Sequence, residues 1–385
     1  MIHQKLSIVM IAPCAFPTRQ GTQIFIRDLA KALSLSGHEI HLVTYGHGEY
    51  EEDSEFFIHR TPLIDTGLRS GPHLLKPVVD IALYLLALKV IAGYDCDIIH
   101  AHNVEGLAIG AILKIHTKKP LVYHSHNCLS LELPTYYKFT LMKFLASAVG
   151  ELFDRLLPRI ANRVIVFNPE SAELLMDQGV PRERVKVIPP GLWLEDIVDC
   201  ENQLLLSVLR QQCGEGFLLY AGNPDCYQNL ELMYEAVKHV CTEIPANLVI
   251  ASSEPKSTFL KLFANSSKDL EINYVQTSSW DELRCLFHLA KVGLCPRVLR
   301  GGFPIKIINY LGGGLPIVAC RKSLDSLDGW PGIELVEDSP YAFAAGIVKQ
   351  WNSDHELNEH NKILAMFDIR NQTTAYDELY KELIN

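Results

Sequence analysis

Patterned cysteine is what this chain lacks first: its ten cysteines are scattered, without a CxxC pair or zinc-like spacing, which leaves no cysteine-based metal or redox motif. They read as reduced thiols of a cytosolic protein, at positions where a small apolar residue also fits. Positive charge is in deficit, 35 Lys and Arg against 45 Asp and Glu for a formal net charge of −10. That balance argues against non-specific nucleic-acid binding, which needs basic patches on phosphates. Long hydrophobic runs are missing: the longest, Ile81 to Leu88, is flanked by Asp80 and Lys89 and falls far short of a bilayer. No small-residue cleavage site follows the apolar run before Pro13, so a secretory signal is not expected. There is no solenoid-period repeat, and no GxGxxG, so a dinucleotide fingerprint is unsupported.

What is present suits two α/β domains. A chain of 385 residues with a 48% apolar share has material for two cores. Leu6 to Ala12 reads as a buried strand that Pro13 stops. The loop Thr18 to Thr22, containing Gly21, leads to a helix through Ile24, Leu29 and Leu33, closed by Gly37, and Ile40 to Thr44 reads as the next strand. Beyond the acidic run Glu49 to Glu55 come a helix from Lys76 to Ala92, then strands at Asp97 to His102, Pro120 to His126, Val164 to Phe167 and Val185 to Ile188, with helices at Glu105 to Ile115 and Pro169 to Asp177. This rhythm specifies a parallel sheet covered on both faces.

Pro189-Pro190-Gly191 is the best interdomain linker. A second series follows, with strands at Phe217 to Ala221, Ala246 to Ala251, Ile272 to Val275, Val292 to Cys295 and Leu315 to Ala319. Its helices fall around Leu230 to Cys241, Asp281 to Leu289 and Ile305 to Leu311. The expected division is 1–188, 192–365 and a helical tail 366–385. The richest stretch is Gly301 to Ala319, where a glycine turn, one lysine, a short helix starting near Pro304 and a buried strand stand in the order that suits a diphosphate.

Taken in order, Ile11-Ala-Pro13 with Gly21-Thr-Gln23, Gly37 to Thr44, Asp97 to His102, Val122 to Asn127, Arg159 to Val166, Val187 to Gly191, Tyr220 to Asn223 and Phe303 to Ala319 resemble the family 4 glycosyltransferases. Those are retaining enzymes of the GT-B fold, so the resemblance implies two Rossmann-like, doubly wound parallel-sheet domains facing a cleft, the first for acceptor and the second for donor. It implies a nucleoside-diphosphate-sugar donor, with a UDP-sugar expected ahead of a GDP-sugar, no other cofactor and no metal. Asp95-Cys-Asp97 has Asp-x-Asp spacing but lies just before a first-domain strand.

Carried over residue by residue, the resemblance puts Gly21 and Thr22 in the loop near the donor diphosphate and His126 beside the transferred sugar, with His124 deeper in the strand and His100 and His102 in structural or supporting places. The nucleotide-sugar contacts fall on Gly222, Asn223, Gln228, Val275, Gly302, Phe303, Pro304, Ile305 and Asn309. Two departures stand out. Many relatives carry two glutamates where this chain has Gly301 and Asn309, and an arginine and a lysine where it has Asn223 and Gln228. Arg297, Arg300 and Lys306 are placed to return positive charge, so His126, Lys306 and Arg297 are the expected catalytic residues, with backbone N–H groups at Gly21, Thr22 and the Gly301 to Pro304 turn aiding the leaving group.

The acceptor is a hydroxyl, on a carbohydrate or a lipid-linked glycan precursor. Leu133 to Ala146, with Lys138 and Lys143, reads either as a peripheral contact with an anionic membrane or, the favoured alternative, as helices packed on the first domain and continuing through Leu152, Phe153 and Leu156. The expected location is cytoplasmic, with the inner membrane face as the peripheral site. Competing activities are a GT-B sugar-nucleotide epimerase and a non-catalytic nucleotide-sugar binder.

Overall fold

The computed structural model describes residues 5 to 384 other than 19, 47, 49–54, 63–74, 195–199, 201, 242, 264–269, 271 and 354–362. Most of the acidic run, Glu49 to Ser54, lies outside the described residues. Two compact units result: Met1–Leu192 with Gly301–Phe303 and Ile369–Asn385, and Trp193–Arg300 with Pro304–Asp368. The chain thus changes unit after Leu192, next to the expected proline-glycine linker, and the final helix belongs to the first unit.

The first unit holds strands β1 (Ser7–Ala15), β2 (Glu39–Tyr45), β3 (Phe57–Arg60), β4 (Ile98–His102), β5 (Leu121–Ser125), β6 (Arg163–Val166) and β7 (Val185–Val187). Its helices are α1 (Gly21–Leu35), α2 (Lys76–Tyr94), α3 (Asn103–Thr117), α4 (Leu129–Glu132), α5 (Thr140–Leu156) and α6 (Pro169–Asp177), with the C-terminal helix α13 (Ile369–Ile384). The strands form one seven-stranded sheet in the order β3-β2-β1-β4-β5-β6-β7, parallel throughout. Strand alternation sorts the side chains. Val9, Ile11, Ile99, Ala101, Tyr123 and Val164 enter an apolar core with α2 and α3, while His100, His102 and His124 fall on the other face.

Three expectations about this unit change. β1 runs through Pro13 rather than stopping there: its pairing with β4 ends at Ile11 and its register with β2 shifts after Ala12, so no ladder bond is asked of the missing proline N–H. Gly21 and Thr22 open α1 instead of lying in the loop before it. Helix α2 ends two residues past the expected Ala92, and, where the run Ile81 to Leu88 alone is too short, it is among the described residues the one helix long and apolar enough to cross a membrane. Its inner residues Val79, Leu83, Ala87 and Val90 pack into the core.

The second unit holds β8 (Phe217–Ala221), β9 (Leu248–Ser252), β10 (Ile272–Gln276), β11 (Ala290–Cys295), β12 (Ile317–Cys320) and β13 (Ile333–Val336). Its helices are α7 (Gln203–Cys213), α8 (Leu230–Val240), α9 (Lys256–Leu262), α10 (Trp280–Leu289), α11 (Lys306–Gly312) and α12 (Pro340–Trp351). The parallel sheet is ordered β10-β9-β8-β11-β12-β13, and its central strand β8 is buried throughout. Helix α10 starts with a capping box of Ser279 and Glu282, which satisfies donors at its first turn. Cys200 and Cys285 are joined by a disulfide, which corrects the expectation of ten reduced thiols. The other eight cysteines are free.

Candidate active site

In the second unit the site grows from the carboxyl end of β8. Gly222 follows the strand at φ +149, and a Cβ there would come within 2.9 Å of Lys306 Nζ, so the missing side chain is what lets the lysine lie over the turn. Lys306 is the first residue of α11, later than the start expected near Pro304, and Ile305 is its N-cap. Its Nζ donates to Gln228 Oε1 at 3.1 Å and stands 3.9 Å from the Tyr220 ring centroid. Gln228 Nε2 in turn donates to Asn223 Oδ1 at 3.2 Å, Asn223 Nδ2 to Asp225 Oδ2 at 2.7 Å, and the Tyr220 hydroxyl to the Asn223 carbonyl at 2.7 Å. Asn223 and Gln228, both neutral, therefore form a polar chain that aims a single lysine.

Burial pushes the Lys306 ammonium down to about 8, with Arg297 adding to the fall and Cys295 and Asp225 opposing it. Arg297 is buried, with its guanidinium carbon 5.3 Å from the Tyr227 ring centroid and its carbonyl accepting from Ser323 Oγ at 3.0 Å. A cation over an aromatic face is stabilised by the ring quadrupole, so both cations sit on tyrosines. Arg300 is exposed at the end of this segment. Asn309 lies three residues beyond Lys306, on the same helix face. Its Oδ1 is buried and has no hydrogen-bond partner among the described residues. Val275 is buried in β10, where it pairs with Ala251, and Pro304 is buried ahead of α11.

The first unit by itself carries a different set of the expected residues. Gly21 and Thr22 form the first turn of α1, whose Gln20 cap uses no side chain, and first-turn amides have no intrahelical acceptor. His126 follows β5 and is 3% exposed. Its Nε2 lies 3.0 Å from His102 Nδ1, and its ring meets Phe25 and Phe167 edge-on at 5.5 and 5.2 Å. Burial holds its imidazole down to about 3, so it is neutral near pH 7.

Gly301, Gly302 and Phe303 belong with this first unit. Gly301 and Gly302 adopt φ +90 and +84, conformations that favour glycine, and a Cβ on Gly301 would approach Cys128 Sγ to 3.1 Å. A side chain at position 301 is thus disfavoured by this backbone. Gly302 N–H, expected at the diphosphate, donates to Ser171 Oγ at 2.8 Å. Asn168, which caps α6 by accepting from Ser171 N–H at 3.1 Å, seats this turn from the other side through Gly302 O at 3.5 Å. Sequence reading missed that seat, although an Asn before Pro169 was a visible cap signal. Asp97 Oδ2 accepts from Ser7 N–H at 2.9 Å, and Asp95 is a left-handed helix cap paired with Lys119, so this Asp-x-Asp pair is structural.

Comparison with known proteins adds to this geometry. The profile described as Glycosyltransferase Family 4 matches residues 19–196, and that described as Glycosyl transferases group 1 matches residues 215–353. D-inositol 3-phosphate glycosyltransferase of Pseudarthrobacter chlorophenolicus is 23% identical over 316 residues, 78% of this chain and 74% of that protein. Sucrose-phosphate synthase from Thermosynechococcus elongatus superposes with a TM-score of 0.79 at 17% identity, covering 98% of this chain and 99% of that one. Anabaena HepE, in complex with UDP and glucose, gives 0.75 at 15% identity, covering 98% of this chain and 100% of that one.

Proposed function

From the premise that the chain belongs to the family 4 glycosyltransferases, as a glycosyltransferase of GT-B fold, we propose that it moves a sugar from a UDP-sugar to a hydroxyl acceptor with retention at the anomeric carbon. The observation that carries this reading is Lys306, one partly buried cation held on Gln228 and Tyr220 above the Gly222 turn. An ammonium in such low-dielectric surroundings neutralises a diphosphate far more strongly than one in water. Arg297, a guanidinium stacked on Tyr227, supplements it as a fork donor. The orphan Asn309 Oδ1 is an acceptor for a ribose hydroxyl. In this reading the acceptor hydroxyl attacks from the face the diphosphate leaves, and the departing phosphate oxygen takes its proton. Neutral His126 serves the sugar as a hydrogen-bonding wall. The bond from anomeric carbon to phosphate oxygen breaks as the bond to acceptor oxygen forms. The uridine choice draws on the UDP held by HepE.

The test is calorimetry with UDP and GDP, then product analysis with a UDP-sugar panel and NMR of the new anomeric centre. Tighter UDP binding and a retained anomer are expected. Stronger GDP binding sinks the donor assignment, and an inverted anomer sinks the mechanism.

A second reading concerns the acceptor. Helix α5 buries only Ala146, Gly150 and Asp154 among its residues, a narrow stripe seated on α4: Asp154 accepts from Leu129 and Ser130 N–H, and a Cβ at Gly150 would strike Ser130. Phe139, Leu141 and Phe144 are 78%, 69% and 69% exposed, and Leu152, Phe153 and Leu156 are exposed as well. The packed-helix alternative favoured in the sequence asked these to be core. With Lys138 and Lys143 beside the apolar face, we propose that α5 rests on an anionic cytoplasmic membrane surface and that the acceptor is lipid-linked. Co-sedimentation with phosphatidylglycerol vesicles, lost in Leu141→Ser/Phe144→Ser and weak with phosphatidylcholine, is the expected result. Equal recovery of wild type and variant refutes it.

A further inference from the structure

We propose that His100, His102 and His124 bind one first-row divalent metal ion, zinc by preference, in the interior of the first unit. Strands β4 and β5 are neighbours with His102 opposite His124, and the period of two puts positions 100 and 102 on one face. All three imidazoles are fully buried, and one ligand nitrogen from each lies within 4.8 Å of the others. The rings are stacked neighbours, with centroids 4.5 Å apart and planes 25° apart for His100 and His102, and centroids 5.4 Å apart for each with His124, at 5° and 27°.

The second observation is independent of that proximity. His100 Nε2, His102 Nε2 and both nitrogens of His124 are buried without a hydrogen-bond partner among the described residues. Such orphans are rare in folded proteins and call for a missing water or ion. Their arrangement favours the ion. His100 Nδ1 is engaged by the Tyr380 hydroxyl at 2.7 Å and His102 Nδ1 by His126 Nε2 at 3.0 Å. A metal-binding histidine is held in this way, with one nitrogen fixed by a neighbour and the other presenting its lone pair. Burial keeps all three rings neutral, the form that a metal binds. Imidazole nitrogens suit zinc, copper and nickel, and Phe167 and Tyr376 pack against His124, which limits competing ligands.

Zinc–nitrogen bonds of about 2.0–2.1 Å place tetrahedral ligand atoms roughly 3.3 Å apart, closer than the 4.8 Å span of the three histidines, so binding an ion would turn the stacked rings to aim their lone pairs at it. A water would complete the four positions of a tetrahedral ion. The site adjoins His126, which lies 3.0 Å from His102, but does not depend on the proposed transfer reaction.

The experiment uses the full chain purified without a polyhistidine tag, denatured and refolded with or without zinc, with metal content measured after exhaustive dialysis against a weak chelator. One zinc per chain and a melting temperature higher after refolding with zinc are expected, both lost in His124→Phe. Because that variant removes core polarity and risks misfolding, cobalt-loaded wild type supplies a second readout: a tetrahedral visible band without sulfur charge transfer. Metal-free protein indifferent to zinc, or a cobalt spectrum showing thiolate ligands from the free cysteines, overturns the proposal.

Discussion

The two units build the same parallel sheet and load it with opposite chemistry. Around β4 and β5 of the first unit stand four histidines among Phe25, Phe167 and Tyr376, and burial strips them of charge. Beyond β8 and β11 of the second unit, Lys306 and Arg297 rest on tyrosine rings, and the lysine, pushed down only to about 8, keeps its charge at neutral pH. Desolvation acts on both sets, yet a histidine starts near 6.5 and is neutralised by a small push, whereas a lysine starts near 10.4 and survives one. In the proposed transfer, the cations that would neutralise a leaving diphosphate belong to the second unit and the neutral histidines to the first.

The sharpest way to break that division is to remove the lysine. Lys306→Ala is expected to lower turnover by on the order of ten- to a thousandfold, with weakened UDP-sugar affinity in calorimetry. Unchanged turnover in a folded variant would return the charge to another group. His126→Ala is expected to reduce turnover by roughly ten- to a hundredfold through lost positioning, while donor affinity stays nearly constant. A large loss of UDP affinity in that variant, with melting temperature preserved, would contradict a sugar-only role.

The pH dependence of donor binding separates the units next. The ionisable groups facing Lys306 are Cys295 of β11, Arg297 beyond it and Asp225 beyond β8, with Tyr220 beneath. Bound diphosphate favours the ammonium, so UDP-sugar affinity should be flat below the free lysine's value of about 8 and fall above it, by up to about tenfold per pH unit for one linked proton. Lys306→Met should bind weakly and without that fall. A wild-type affinity that is constant from pH 7 to 9 would show that the lysine does not meet the phosphates.

Much of this was legible in the sequence, and the misses have physical causes. The strands read well because buried parallel strands are continuous apolar runs, as at Phe217–Ala221. Helix α7 and strand β13 were overlooked: α7 presents a narrow buried face of Leu206, Leu209 and Cys213, and β13 is a four-residue edge strand with an alternating pattern. Lys306 stood out as a lone lysine after glycines, and Asn223 and Gln228 registered as losses. What sequence order did not reveal is that these two residues hydrogen-bond in series with a lysine 78 positions away from Gln228. Nor did the glycine pair at Gly301 and Gly302 announce that its chain conformation, with Cys128 close to Gly301, disfavours a side chain. Such constraints arise from contacts distant in the chain, which local spacing does not encode.

The smallest expected effect tests whether the second unit's replacement residues still serve the nucleotide. Asn309 Oδ1 is buried and unpartnered, so a ribose hydroxyl that donates to it restores a hydrogen bond the free protein lacks. Truncation in Asn309→Ala removes the acceptor and should weaken UDP by about 1 kcal/mol, roughly fivefold in dissociation constant. Asn309→Glu moves in the other direction: a carboxylate accepts a stronger, charge-assisted bond but adds a negative charge one helical turn from Lys306, which draws part of the ammonium's field away from the diphosphate. The ribose gain should therefore appear for uridine, which has no phosphate, and shrink for UDP. Equal changes for uridine and UDP in both variants would mean that Asn309 supports the fold of α11 and does not touch ribose.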